Sequence, residues 1–111
     1  MLDIPRRKDL ANPKMSGTKN PRISVVLASF NGIKYIGEQL DSIRTQTKAP
    51  DEVIISDDCS EDGTYDFCRE YISSHNLKGW QVFHNDRNLG AGENFRLALT
   101  YATGDYIFTC D

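Results

Sequence analysis

The chain has 111 residues and a mass of 12.6 kDa, which corresponds to one domain or part of one. Hydrophobic residues make up 39% and charged residues 26%, as in globular proteins, and no apolar run approaches the roughly 20 residues of a membrane-spanning helix. The net charge is −3, and residues 23–111 hold seven basic and fourteen acidic side chains, so no nucleic-acid partner is expected for this acidic body.

The N-terminal segment differs from the remainder of the chain. Residues 1–22 hold six Lys or Arg side chains and two Asp side chains. Residues 1–20 lack hydrophobic periodicity and contain two prolines and a glycine, so we predict that they form a mobile arm or a leader. The folded part is predicted to be residues 21–111.

Apolar segments rich in β-branched residues alternate with amphipathic segments along the folded part. Strands are predicted at Ile23–Ala28, Glu52–Ser56, Trp80–His84 and Tyr106–Cys110. One helix is predicted over about residues 33–46. Apolar residues at helical spacing mark a second helix that continues to about Ser74 (Phe67, Cys68, Tyr71 and Ile72) and a third helix (Phe95, Ala98, Leu99 and Ala102). Ser60 or Asp62 is the predicted N-cap of the second helix, and Gly104 is the predicted C′ residue of the third.

This order of elements predicts a three-layer α/β/α architecture with a mostly parallel sheet and right-handed crossovers, as in Rossmann-like folds. A parallel sheet needs helices on both faces, yet no helix follows the fourth predicted strand. We therefore expect the first half of a larger fold, truncated after the fourth strand. Apolar surface around that strand favours self-association of the chain.

The chemistry is expected at the carboxyl ends of the strands, where open parallel sheets bind their ligands. The aromatic face of Phe30 can stack on a planar base, and carboxylates there can accept hydrogen bonds from a base or a ribose, or can hold a divalent cation. Gly90 opens the third helix and lets the backbone approach a ligand. A nucleotide with a metal-bridged diphosphate is the expected ligand. The candidate binding residues are Ser29, Phe30, Asn31, Asp57, Asp58, Gly90, Asn94 and Asp111.

Other kinds of site are not indicated. The first strand is followed by Phe30-Asn31-Gly32, without the glycine pattern of a nicotinamide dinucleotide fold or of a P-loop. The three cysteines form no C-x-x-C pair, which excludes a zinc knuckle and fits free thiols in a reducing cytoplasm. His75 and His84 have no partners at ligand spacing and are interpreted as structural or exposed.

Four segments in order resemble family 2 glycosyltransferases of the GT-A fold. They are ISVVLASFN (Ile23–Asn31), EVIISDDCSEDGT (Glu52–Thr64), NLGAGEN (Asn88–Asn94) and GDYIFTCD (Gly104–Asp111). The resemblance covers about residues 22–111, the nucleotide-binding half of such enzymes. Within the family, the chain most resembles the bacterial branch that builds cell-surface polysaccharides.

The resemblance implies an inverting hexosyltransferase, which moves a sugar from a nucleotide-diphosphate donor to the hydroxyl of a saccharide or lipid-linked acceptor. Phe30 stands where the family usually has Tyr, in a position that packs against the base. Asp57 and Asp58 match the family's Asp-Asp pair, and Asp58 is the expected reader of a base N–H. Asp105 is interpreted as structural.

The same resemblance implies dependence on Mg²⁺ or Mn²⁺. Asp111 matches the first carboxylate of the family's D-x-D motif and is the predicted metal ligand. The last carboxylate of that motif and the general base are expected beyond Asp111, so these 111 residues are expected to be inactive alone. The expected location is the cytoplasm, at the inner face of the membrane through peripheral association.

Two other classes remain as alternatives. A related nucleotidyltransferase shares the sheet topology, but the loop after its first strand is usually glycine-rich and basic. A non-catalytic flavodoxin-like or receiver-like domain has a similar length, but a receiver has its acidic pair after the first strand. In this chain the acidic pair follows the second predicted strand.

Overall fold

The structure is a computed structural model that describes residues 2–5 and 20–110. Its elements in chain order are β1 (Leu2–Pro5), β2 (Ile23–Ser29), α1 (Ile36–Arg44), β3 (Glu52–Asp57), α2 (Thr64–Ser74), β4 (Trp80–His84), α3 (Ala91–Tyr101) and β5 (Tyr106–Cys110). The longest of these helices have 11 residues, and no helix in the described ranges combines the length and apolar character needed to cross a membrane.

The sheet has the strand order β1-β5-β2-β3-β4, and the strands from β5 to β4 are parallel, as predicted. Its register aligns the carboxyl ends of three neighbouring strands. Ser29 is paired with Asp57, and Asp57 is paired with His84. The loops that follow β2, β3 and β4 therefore leave the sheet side by side at one edge.

One strand was not predicted. Leu2–Pro5 pairs antiparallel with β5, although residues 1–20 were predicted to form an arm. The pairing gives partners to main-chain groups of β5 that would otherwise be unpaired at a sheet edge. Four residues are too short for a readable alternation, which explains why the pattern did not reveal the strand. The other residues of the predicted arm, up to residue 19, lie outside the described residues.

Helices cover both faces of the central strands, which confirms the three-layer architecture. The face toward α1 and α2 buries Val25, Leu27, Ile36, Leu40, Ile43, Val53, Ile55, Cys68 and Tyr71. The opposite face, toward α3, buries Val26, Ile54, Ala98, Ala102 and Ile107. Successive residues of β2 and β3 point to opposite faces, and both faces are covered, so these strands are continuous apolar runs.

Two helix starts differ from the prediction. α1 begins at Ile36 and not at about residue 33, because the main-chain N–H groups of Tyr35 and Ile36 both donate to the carbonyl oxygen of Gly32 in a preceding turn. α2 begins at Thr64 with Gly63 as its N-cap, at a φ of 91° that favours glycine. The predicted N-caps, Ser60 and Asp62, are therefore wrong. Asp62 still contacts the helix start, because its Oδ1 accepts a hydrogen bond from the main-chain N–H of Thr64 at 3.1 Å.

Gly104 does not have the predicted C′ position either. The C-cap of α3 is Ala102, so Gly104 lies two residues beyond it. Its main-chain N–H donates to Ser24 Oγ at 2.9 Å. A Cβ atom at Gly104 would lie 2.8 Å from the main-chain nitrogen of Ser24 and 3.0 Å from the carbonyl oxygen of Arg22. The missing side chain thus allows the turn before β5 to pack against the start of β2.

We expect Gly104→Ala to lower the free energy of unfolding by about 1–3 kcal/mol, because the added methyl group meets main-chain atoms that cannot move independently. Gly92→Ala is the matched control, since nothing lies within 4 Å of a Cβ there and the position is inside α3. That change is expected to stabilise the protein by about 0.5–1 kcal/mol. Urea unfolding of both variants measures the difference, and equal stabilities would contradict the packing argument.

Candidate functional site

A cavity of about 190 Å³ opens at the sheet edge where β2 and β3 end and α3 begins. The parallel strands and the start of α3 bring residues from three separate parts of the sequence together there. The lining residues are Ala28, Ser29, Phe30, Asp58, Asn88, Gly90, Ala91 and Asn94.

The structure brings most of the predicted binding residues to this cavity. Those that line it are Ser29, Phe30, Asp58, Gly90 and Asn94. Asn31 and Asp57 are adjacent in sequence to lining residues, but the structure does not place them in the lining. The predicted ligand Asp111 lies outside the described residues.

Asp58 is nearly fully buried at the base of the cavity and holds the loop that precedes α3. Its Oδ1 accepts hydrogen bonds from the main-chain N–H of Leu89 at 2.7 Å and from Asn85 Nδ2 at 3.0 Å. Its Oδ2 accepts from the main-chain N–H of Gly90 at 2.9 Å. Burial acts to raise the pKa of Asp58, but these three donors outweigh it and hold the pKa below its ordinary value of 3.8.

This lowered pKa predicts a specific dependence of stability on pH. Below about pH 4 the unfolded chain binds a proton at Asp58 more readily than the folded chain, so folding loses this contribution as the pH falls. We expect Asp58→Asn to be less stable at neutral pH and to lose less stability than the unsubstituted chain between about pH 5 and about pH 3. Urea unfolding at several pH values measures this. Asp86→Asn, which removes an exposed carboxylate from the loop between β4 and α3, is the control, and identical pH profiles for the two variants would contradict the assignment.

Asp57 is buried beside the cavity and contacts residues of β2, of the loop after β3 and of β4. It accepts hydrogen bonds from Ser29 Oγ at 2.9 Å, Ser60 Oγ at 2.6 Å and the main-chain N–H of Ser60 at 3.0 Å. His84 Nδ1 lies 3.2 Å from its Oδ2, and the ring of His84 packs against Tyr65 at a centroid distance of 4.5 Å. The carboxylate oxygens are thus engaged by the protein itself, and the structural interpretation of His84 is confirmed.

Asn94 is also buried, and its amide connects α3 to the ends of two strands. Its Oδ1 accepts hydrogen bonds from Ser56 Oγ at 2.8 Å and from Asn85 Nδ2 at 2.9 Å. Its Nδ2 donates to the carbonyl oxygens of Ser56, at 3.0 Å, and Ser29, at 3.5 Å. Asn94 therefore lines the cavity and holds α3 against the strand ends. Both Oδ1 and Nδ2 of its amide are already hydrogen-bonded within the protein.

Sequence reasoning did not select Ser56, Asn85 or Asn88 for the site. Ser56 and Asn85 are buried in the network around Asn94, and Asn88 lines the cavity. A serine inside the apolar run of β3 was the available signal, because a buried hydroxyl needs a hydrogen-bond partner.

Phe30 provides the aromatic surface of the site. Phe30 is 52% exposed and lines the cavity, so its side chain is accessible to a ligand. The next residue, Asn31, has a positive φ of 49°, which asparagine tolerates better than most residues. Its Oδ1 accepts a hydrogen bond from the main-chain N–H of Glu61 at 2.9 Å, so Asn31 joins the loop after β2 to the loop after β3.

The described residues do not fit a metal ion. Residues 20–110 contain no group of three or more His, Cys, Asp or Glu side chains that could hold one. Asp58, the carboxylate that lines the cavity, is surrounded by N–H donors, which repel a cation. The predicted ligand Asp111 is not among the described residues.

Relatives with known names share this part of the chain. Glycosyltransferase GlyG of Streptococcus pneumoniae is 32% identical over 89 residues, which are 80% of this chain and 29% of GlyG. Poly(ribitol-phosphate) β-N-acetylglucosaminyltransferase TarS of Staphylococcus aureus is 35% identical over 92 residues, which are 81% of this chain and 16% of TarS. The chain thus spans less than a third of the length of either relative.

Solved structures show the same fold. A mannosyltransferase from Pyrobaculum calidifontis, in complex with GDP-Man and Mn²⁺, superposes with a TM-score of 0.73 at 29% identity over 81% of this chain and 27% of that one. Residues 1–349 of S. aureus TarS in complex with UDP superpose with a TM-score of 0.71 at 31% identity, over the same shares of the two chains.

The family model described as glycosyl transferase family 2 matches residues 24–111, which is most of the chain. This match decides against the receiver-like and nucleotidyltransferase alternatives, and it agrees with the four sequence segments that suggested the resemblance. The chain belongs to glycosyl transferase family 2.

Proposed function

We propose that this chain binds the nucleotide part of a nucleotide-diphosphate sugar, as the donor-binding portion of an inverting glycosyltransferase. The observation that carries the proposal is the cavity that unites the exposed ring of Phe30, the buried carboxylate of Asp58 and the first residues of α3. The aromatic face of Phe30 suits the base, and the carboxylate of Asp58 can accept a hydrogen bond from a base N–H or a ribose hydroxyl. The N-terminus of α3 suits the phosphates.

Each residue has a distinct part in binding. The Phe30 ring stacks on the base, and because it lacks a hydroxyl it contributes only its face. Asp58 Oδ2 accepts one hydrogen bond from the protein, from Gly90, and so keeps capacity to accept another from the ligand. The start of α3 at Ala91, which lines the cavity, favours negative charge nearby through the helix dipole.

The reaction of the whole enzyme is a displacement at the anomeric carbon of the sugar. A general base, expected beyond Asp111, removes the proton of the acceptor hydroxyl. The oxygen forms a bond to the anomeric carbon as the bond to the nucleoside diphosphate breaks, so the configuration inverts. Mg²⁺ or Mn²⁺, if bound, would supply positive charge to offset the charge of the leaving diphosphate. The Mn²⁺ in the Pyrobaculum complex supports a divalent metal as cofactor. The ligand we propose for it is Asp111, from the sequence resemblance alone.

The acceptor in this proposal is a saccharide or a lipid-linked saccharide of a bacterial cell-surface polymer. The name of TarS, which acts on poly(ribitol-phosphate), and the name of GlyG support a transferase of this kind. The enzyme then works in the cytoplasm at the inner face of the membrane, by peripheral association, where such polymers are assembled. Fractionation of cells that express the tagged protein tests this location.

Self-association of the 111-residue chain belongs to the proposal as well. An open groove of about 200 Å³ lies beside β2 and β5 and is lined in part by Ile23, Val25 and Phe108. Apolar side chains in an open groove favour burial against a second copy. Light scattering tests this at micromolar concentrations, and a monomer would argue against it.

A titration with nucleoside diphosphates tests donor binding directly. UDP, GDP and dTDP are added to the ¹⁵N-labelled chain with Mg²⁺, and amide resonances are followed. We expect one of these nucleotides to shift the amides of Phe30, Leu89 and Gly90, while the amide of Gly104, on the opposite edge of the sheet, stays in place. No shift at the cavity with any of them at millimolar concentration would contradict the proposal.

A further inference from the structure

The loop between β2 and α1 is held by side chains of the loop between β3 and α2. The main-chain N–H of Asn31 donates to Ser60 Oγ at 2.8 Å, and that of Gly32 donates to Thr64 Oγ1 at 3.0 Å. The N–H of Ile33 donates to Asp62 Oδ2 at 3.1 Å. Three consecutive N–H groups of this loop are therefore bound by side-chain oxygens of two residues in the loop after β3 and of Thr64, the first residue of α2.

Hydrogen bonds hold the main chain on both sides of Phe30, a residue that is 52% exposed. On one side the carbonyl oxygen of Ser29 accepts a hydrogen bond from the main-chain N–H of Asp58 at 2.8 Å. On the other side are the hydrogen bonds that the main-chain N–H groups of Asn31, Gly32 and Ile33 donate.

The anchoring side chains are themselves fixed. Ser60 Oγ donates to Asp57 Oδ1 at 2.6 Å, so it receives the N–H of Asn31 in a fixed direction. Thr64 is fully buried, and its hydroxyl donates to Asp62 Oδ1, so its lone pairs are directed toward Gly32. Ser60 and Asp62 are not the helix N-caps that their sequence positions suggest. Both side chains accept main-chain hydrogen bonds from the loop after β2.

We propose that Ser60, Asp62 and Thr64 are positioning residues for donor binding, which hold the Phe30 ring at the angle that stacks on the base. This inference rests on the proposed function, because it assigns those residues a role in the same site. They do not touch the nucleotide, and their effect on binding passes through Phe30. The largest effect is expected at Thr64, whose hydroxyl is buried and joins both loops.

The test compares Thr64→Val, which keeps the shape but removes the hydroxyl, with Thr64→Ser, which keeps the hydroxyl. UDP affinity is measured by amide titration of each full 111-residue chain, with and without Phe30→Ala. We expect Thr64→Val to weaken UDP binding about fivefold, the size that the loss of the hydrogen bond to the Gly32 amide suggests. Thr64→Ser should restore affinity to within about twofold, and in the Phe30→Ala background Thr64→Val should change it by less than about twofold.

Hydrogen exchange of the Gly32 amide gives a readout that needs no ligand. It should be faster in Thr64→Val than in Thr64→Ser, while amides of α3 remain unchanged. Ser60→Ala, at a partly exposed position, provides the same comparison at the Asn31 amide if Thr64→Val does not fold.

The outcomes separate this inference from the proposed function. If the unsubstituted chain binds UDP and Thr64→Val binds it equally well, the positioning role is wrong and the proposed function stands. An equal loss of affinity with and without Phe30 also overturns the positioning role, because the effect then does not pass through the ring. If the unsubstituted chain binds no nucleoside diphosphate, both fail.

Discussion

Replacing Phe30 by Ala is expected to weaken binding of the donor nucleotide by about 1–3 kcal/mol. This is the range, about 1–3 kcal/mol, that base–aromatic stacks contribute in proteins that bind single-stranded nucleic acids. This corresponds to a loss of affinity of roughly fivefold to more than a hundredfold. The ring is half exposed and packs little against the protein, so its removal should leave the stability of the fold nearly unchanged. Amide titration with UDP measures the affinity, and urea unfolding measures the stability.

Tyr35→Ala is the matched control for this experiment. Tyr35 is an exposed aromatic residue at the end of the same loop, with 66% of its side chain accessible, but it does not line the cavity. We expect its replacement to change UDP affinity by less than about twofold. If Phe30→Ala leaves the affinity unchanged, or if both variants lose affinity equally, Phe30 does not stack on the base.

Replacing Asn94 by Ala is expected to lower the free energy of unfolding by about 2–4 kcal/mol, since unsatisfied buried polar groups cost about 1–3 kcal/mol each. The substitution removes the acceptor of Ser56 Oγ and the Nδ2 donor to the Ser56 carbonyl oxygen, both inside the protein. It also removes one of the two acceptors of Asn85 Nδ2, which still donates to Asp58. It also frees the start of α3 from the strand ends. Urea unfolding measures the change in stability.

Glu93→Gln controls for effects of substitution in the first turn of α3. The side chain of Glu93 is exposed and pairs with Arg96 on the helix surface, an interaction that contributes little to stability. We expect that variant to differ from the unsubstituted chain by less than about 0.5 kcal/mol. A similarly small change for Asn94→Ala would contradict the view that its amide fastens α3 to the sheet.

The two buried polar clusters explain why the cavity can be open in a chain of this size. Asp57 binds Ser29 of β2, Ser60 of the loop after β3 and His84 of β4. Asn94, a residue of α3, binds Ser56 of β3. Strand ends without such partners would leave main-chain groups unsatisfied near an open cavity, at a cost in stability. The polar layer lets the loops stand apart and still hold their positions.

Local patterns were sufficient for the architecture and for the edge at which the site lies. Apolar β-branched runs separated by amphipathic segments specify parallel strands joined by helices, and parallel strands place their carboxyl ends together. Phe30 and Asp58 could be selected from their positions directly after two such runs. The four segments also identified the family correctly, because they contain the residues at those strand ends.

Sequence patterns alone specify the layered α/β architecture, the edge of the sheet that carries the candidate site and the types of side chain found there. The packing of the elements sets which of those side chains line the cavity. Asp57 and Asp58 are neighbours of the same type, yet one is turned into the loop network and the other lines the cavity. Pairing of Leu2–Pro5 with β5 and the bridging role of Thr64 also depend on contacts between residues far apart in the chain. Periodicity describes neighbours along one element, whereas hydrogen bonds between loops depend on the packing of all the elements together.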